Sequence, residues 1–196
     1  MTERSAIDRM PGARALHDAA GGGDPSVTIA VLDSDIDVDH PCFTGADIRT
    51  LAMDGDAAAG GTGAGAAHGT HVASLICGQP GSPVEGLAPR CRIIGLPVYD
   101  EDADGNLVGC SQTTLGRAIR RAAEAGADII NISGGQLTDT GRADRFLEDA
   151  VRLCEKQDIL IVAAAGNDGC RCEQIPAALS SVLAVGAHDG DGRPLP

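Results

Sequence analysis

The sequence predicts an α/β fold of three layers, a mainly parallel sheet covered by helices on both faces. Three observations carry this. Short apolar runs alternate with longer, helix-patterned stretches along the chain. Those runs are hydrophobic throughout, as strands buried on both faces are, instead of alternating with polar residues. Aromatics make up only 2% of the 196 residues, with no Trp and one Tyr, so the core has to be built from Ala, Val, Ile and Leu. The hydrophobic fraction of 43% is that of an ordinary globular chain and argues against disorder or a membrane class.

The elements follow in order. A strand over 27–32 comes after the loop 21–25, and a Gly-rich stretch at 60–65 leads into a helix over 68–77. Residues 92–98 form the next strand. The polar segment 100–109 (DEDADGNLVG) has the composition of a calcium loop but lacks the downstream Glu of an EF-hand, so it reads as a solvated turn. A helix over 113–125 stops at Gly126, a residue suited to a helix end. Then come a strand at 128–132, a helix at 142–155, and strands at 159–164 and 182–185, before a closing loop at 190–196. No repeat or low-complexity linker interrupts this pattern. The whole chain, 1–196, reads as one domain with 1–25 as an N-terminal extension.

Net charge is −13, from 28 acidic and 15 basic residues. No basic footprint for nucleic acid or an anionic membrane is present, and a neutral or basic peptide partner is compatible with this balance. Residues 1–11 are polar and lack the apolar core of a secretory signal, and no run approaches a membrane span, so the expectation is a cytoplasmic protein with no membrane association. Seven cysteines include no C-x-x-C pair, which argues against a zinc site. Reduced, buried thiols are the favoured reading, with one or two disulfides as the alternative.

Three polar residues stand where such a sheet puts its chemistry, at the carboxyl ends of strands. Asp33 follows the first strand in VTIAVLDSDID, His68 opens a helix in HGTHVAS, and Asn167 follows a strand in AAAGNDG. Acyl transfer wants such a set: an imidazole to take a proton from a hydroxyl nucleophile, a carboxylate to orient it, and a neutral donor for the oxyanion. Each residue taken singly also reads as a helix cap or turn former.

Four segments in this order, AVLDSDIDVDHPCF, HGTHVASLICG, INISGGQ and VAAAGNDG, resemble successive motifs of the subtilisin family of serine peptidases. The resemblance implies a subtilisin-like fold, with Asp33 and His68 as catalytic residues and Asn167 in the oxyanion hole. It implies that Ser133, Gly134 and Gly135 begin the strand that binds an extended peptide substrate by β-augmentation. His71 reads as structural, facing away from His68. Phrases such as DHPCF, SPVEGLAP, INISGGQL and AAAGNDGC further resemble the N-terminal proteases of cyanobactin maturation, which cut ribosomally made precursor peptides at their leader.

The sequence also departs from the family. No Gly-Thr-Ser or G-x-S-x-G segment occurs, so the nucleophilic serine is missing and the fold reads as incomplete at its C-terminal end. Ser133 is a poor substitute because of its place on the substrate strand, and Cys170 and Cys172 read as structural or disulfide-forming. Asp35 stands where the family carries Gly, which puts the local backbone in question. Cys42 stands where many members have a calcium-binding Asp, so no metal is expected, and no cofactor. The primary expectation is a serine endopeptidase acting on a precursor peptide, truncated before its serine, with room for a complementary C-terminal segment or chain. The alternative is a non-catalytic, peptide-binding pseudoenzyme. A dinucleotide-binding domain is excluded because no G-x-G-x-x-G follows the first strand.

Overall fold

The computed structural model describes residues 6–53, 67–101, 107–138, 142–166, 173–189 and 192–195. Two short helices, α1 (Ala6–Arg9) and α2 (Ala13–Ala19), precede β1 (Thr28–Asp33). A 3-10 turn (Pro41–Phe43) and β2 (Ile48–Thr50) lead to α3 (Ala67–Cys77) and β3 (Arg92–Pro97). The small strands β4 (Asp100–Glu101) and β5 (Leu107–Val108) precede α4 (Gln112–Glu124) and β6 (Ile129–Ile132). After these come β7 (Gln136–Thr138), α5 (Arg145–Lys156), β8 (Leu160–Ala164), β9 (Glu173–Ile175) and β10 (Val182–Val185).

Six strands form one sheet in the order β10-β8-β6-β1-β3-β2, every pairing parallel. The layers follow from the period-2 alternation of strand side chains. On β1, Ile29 and Val31 pack with Ala73 and Cys77 of α3, while Ala30 and Leu32 pack with Leu115, Ala118 and Ile119 of α4 and Leu147 of α5. All six β1 residues are buried, which is why that run carries no polar alternation. The expected α/β, three-layer architecture is therefore present.

Helix ends differ from the sequence expectation by a few residues, for chemical reasons. The Ser111 side chain accepts from the Thr114 amide and starts α4 at Gln112. Asp144 likewise accepts from Leu147 N, so α5 begins at Arg145 and not at 142. Gly116, which is costly inside a helix, earns its place by contact: a Cβ there would lie 2.8 Å from the Phe146 ring, so the residue lets α4 and α5 approach. The segment expected as a solvated turn closes a two-stranded hairpin, β4 with β5, and its residues 102–106 lie outside the described ones, as does the Gly-rich stretch 60–65. Polar composition and two-residue strands hide such a hairpin from any periodicity test.

The N-terminal segment is tied to the body. Arg14 bonds both carboxylate oxygens of Glu85, at 3.3 and 2.7 Å, and Arg90 donates its amide to Gly22 O. The Arg14 bond holds the Glu85 carboxyl below its ordinary pKa. Ile7 is 1% exposed.

The topology fixes where a cleft lies. From β1 the chain runs on to β2 and β3 on one side, and from β6 it runs to β8 and β10 on the other. In such a sheet the crevice falls at the carboxyl ends of the strands where direction reverses, here β1 and β6.

Candidate active site

Asp33 is the last residue of β1 and has no exposed surface. Its backbone carbonyl accepts from the amides of Val98, at 2.8 Å, and Tyr99, at 3.2 Å, which locks it to the end of β3. Its Oδ1 accepts from the Ser34 amide at 2.8 Å and from His68 Nδ1 at 2.6 Å. A carboxylate can only accept, so Nδ1 carries the proton and Nε2 of the neutral ring carries the lone pair. The His68 side chain is 37% exposed while Asp33 is sealed, so the imidazole joins a buried charge to solvent.

Two hydroxyls set this geometry. Ser34 Oγ accepts from the Gly69 amide at 2.9 Å, and Thr70 Oγ1 accepts from the Asp37 amide at 2.9 Å. The loop after β1 and the first turn of α3 are thus stitched together on both sides of the Asp33–His68 bond. Gly69 is required by proximity: a Cβ there would stand 2.4 Å from Ser34 O and 2.6 Å from Asp35 O. The only signal of Ser34 and Thr70 in the sequence is that they are small hydroxyl residues close to the Asp and the His. Asp35, questioned as a replacement for Gly, causes no strain. Among described non-Gly residues only Asp158 has positive φ, and Asp35 Oδ1 accepts from the Ile36 amide at 2.9 Å.

The parallel register Leu32↔Ile132 sets Ser133 beside Asp33 at the same sheet edge. Ser133 Oγ accepts from Asn131 Nδ2 at 2.9 Å. Ser133, Gly134 and Gly135 lie between β6 and β7. Both glycines are closely packed. A Cβ on Gly134 would meet Tyr99 Cζ at 2.9 Å, and one on Gly135 would meet Ile175 O at 2.7 Å. β7 then pairs antiparallel with β9. Burial raises the Tyr99 phenol, and burial likewise pushes the half-buried Cys110 thiol up to about 11.

The structure therefore brings Asp33, His68 and Ser133 to one edge. Asn167, with Cys170 and Cys172, lies outside the described residues; β8, which precedes it, ends at that edge beside β6. His71 is exposed and, with Asp37, His40 and Cys42, lines a separate cavity of about 310 Å³ on another face of α3. Cys42 is 1% exposed. Cys42, Cys77, Cys91, Cys110 and Cys154 are unbridged. Among the described residues no group of three or more His, Cys, Asp or Glu is arranged to hold a metal, and no helix is long and apolar enough to cross a membrane.

A parallel sheet between helices, with a buried aspartate bonded to a histidine at its carboxyl edge, defines a subtilisin-like domain. The chain belongs to the Subtilase family, which it matches over residues 24–193. It is 33% identical over 170 residues to the Thermophilic serine proteinase of Bacillus sp. (strain AK1), covering 85% of this chain and 39% of that protein. The solved Prenylagaramide maturation protease PagA is 45% identical with a TM-score of 0.82, the match covering 95% of this chain and 62% of that one. The PatG macrocyclase in complex with peptide is 30% identical with a TM-score of 0.81, over 98% of this chain and 67% of that one. PagA, PatA and PatG, cyanobactin maturation proteases, are thus structural neighbours. The chain spans 39% of the AK1 proteinase and 62% of PagA, less than two thirds of either.

Proposed function

We propose that this chain supplies the general base and substrate edge of a serine endopeptidase that removes the leader from a ribosomally made precursor peptide. Its nucleophilic serine comes from a segment outside these 196 residues. The observation that carries this is the 2.6 Å bond between the sealed Asp33 carboxylate and His68 Nδ1 at the sheet's carboxyl edge. A buried carboxylate with one imidazole partner favours the imidazolium that forms when His68 takes a proton. The similarity to maturation proteases, one of them solved with a peptide, supports a peptide substrate.

In this mechanism His68 Nε2 takes the serine proton as the oxygen attacks the scissile carbonyl, and Asn167 donates to the oxyanion. His68 then protonates the departing amine. A second passage, with water as nucleophile, releases the leader as a carboxylate. Backbone groups of Ser133, Gly134 and Gly135 hold the substrate in extended form.

The test is labelling by a fluorophosphonate, read by intact mass, of this chain and of any longer form. The serine Oγ–P bond forms, fluoride leaves, and the proton passes to His68. Labelling of the longer form alone, abolished by His68→Ala, is the expected result. Labelling of the 196-residue chain refutes the missing-serine reading. No labelling of either form, with peptide binding intact, moves the assignment to a peptide-binding pseudoenzyme.

A further inference from the structure

The chain is poor in aromatics, yet it leaves one of its two phenylalanines in the open. Phe43 is 3% exposed, whereas Phe146, in the first turn of α5, is 39% exposed. The Phe146 ring rests against Gly116 of α4, and the Arg120 guanidinium lies over it with Cζ 5.2 Å from the ring centroid. A cation over an aromatic face is attractive and holds both groups in place at the surface. Arg120 Nε is buried without a hydrogen-bond partner, an orphaned donor beside an exposed ring. Arg117 and Arg121 flank Arg120 on α4 and are exposed. Four residues apart, they stand one turn from each other on one face of the helix. Among the described residues none of the three arginines forms an ion pair, although Glu124 follows Arg120 and Arg121 within about a turn. On α5, by contrast, Arg152 pairs with Glu148 at 2.9 Å and with Asp149 at 3.4 Å. The α4 face is a patch of unneutralised positive charge on a chain whose net charge is −13.

From these contacts we infer that the α4–α5 face is a docking site for an acidic, amphipathic helical segment of another polypeptide. Charge and spacing select this occupant. Carboxylates at i and i+4 on a helix repeat at about 6 Å, the spacing of Arg117 and Arg121. An apolar side chain on the same stripe covers Phe146, and a further carboxylate accepts from the Arg120 fork. Arginine and aromatic side chains together are what the centres of protein interfaces are enriched in. A second copy of this chain is a poor occupant, because across a two-fold axis it presents the same arginines. A nucleic acid fits worse still. It carries one charge per about 1.7 Å, and beyond the three arginines it meets the field of an acidic protein. Screening over about 8 Å at physiological salt confines the attraction to carboxylates that touch the patch. Both helices begin at the carboxyl edge of the sheet, since each carries the chain back from there to the next parallel strand. A segment held at Arg117 and Phe146 therefore lies toward the Asp33–His68 end of the molecule. This docking needs neither a serine nor the catalytic role of His68.

The probe is a fluorescein-labelled, alanine-based helical peptide with Glu at i and i+4 and Leu one turn away on the same stripe. Its control carries Gln for Glu. Binding is read by fluorescence anisotropy at low and at physiological salt, for wild type, Arg117→Glu, Arg121→Glu, Phe146→Ala and Arg49→Glu, the last an exposed arginine on β2. Because Arg117 and Arg121 are exposed and unpaired, both reversals keep the wild-type melting temperature, and they decide the matter even where Phe146→Ala disturbs the α4–α5 contact. Saturable, salt-sensitive binding of the Glu peptide is expected, weakened about tenfold or more by either reversal and unchanged in Arg49→Glu. The Gln peptide is expected not to bind. No saturable binding, binding indifferent to both reversals, equal binding of the Gln peptide, or tighter binding of a single-stranded DNA that the same reversals abolish each overturns the inference.

Discussion

Replacing Gly69 by Ala probes the contact on which the Asp33–His68 geometry rests. The added methyl would stand 2.4 Å from Ser34 O and 2.6 Å from Asp35 O, and both are backbone atoms with no rotamer to change. Ordinary contact needs the helix start to retreat by about 1 Å, and overpacking of this kind costs about 1–3 kcal/mol. The movement stretches the 2.9 Å bond from Gly69 N to Ser34 Oγ and the 2.6 Å bond from His68 to Asp33 together. Urea unfolding gives the stability change, and proton NMR gives the low-field Nδ1–H resonance of His68. Gly186→Ala is the control, because a Cβ there meets nothing within 4 Å and the backbone is ordinary. Gly69→Ala is expected to lose stability and the low-field signal, with Gly186→Ala keeping both. In a serine-complemented form, about 100-fold of turnover goes with a 1 Å misplacement. Unchanged stability with the resonance retained refutes the close-approach argument.

Thr70→Val leaves the part-buried Asp37 amide without its acceptor, so it is expected to cost about 1 kcal/mol in urea unfolding, with Thr70→Ser close to wild type. Glu85→Gln removes the Arg14 bond and is expected to cost about 0.5 kcal/mol at neutral pH. Because that bond lowers the folded carboxyl's pKa, its contribution is present above the ordinary Glu range and is lost as pH falls through the folded value. The difference in melting temperature between wild type and Glu85→Gln should therefore be present at pH 7 and shrink as the pH is lowered into the acid range. Native protein treated with iodoacetamide at pH 8 should leave Cys77 and Cys154 unmodified. Both thiols are fully buried, and burial pushes them up to about 12 and about 11. Peptide mass mapping that finds either one alkylated before unfolding contradicts their burial.

The central strands were legible because strands buried on both faces leave uninterrupted apolar runs: β1, β3, β6 and β8 fall within a residue or two of where composition puts them. Asp33 and His68 each read alone as a cap or turn former, and they were legible through the segments AVLDSDIDVDHPCF and HGTHVASLICG that resemble family motifs. Elements that depend on non-local pairing were not. β2, β7 and β9 are three residues each and exist because of their partners, Ile93–Gly95 for β2 and each other for β7 and β9. The close approach of Tyr99 and Ile175 to Gly134 and Gly135 was hidden too, because it comes from distant parts of the sequence.

The base role of His68 turns on which ring nitrogen carries the proton, because only a ring protonated at Nδ1 leaves Nε2 able to act as base. Nitrogen-15 NMR of His68 at a pH where the ring is neutral decides it, with Asp33→Ala for assignment. A proton on Nδ1 in the wild type, with that preference lost in Asp33→Ala, is the predicted result. A wild-type ring protonated at Nε2 contradicts the bond to Asp33 and, with it, the assignment of this chain as the base-bearing part of a serine peptidase.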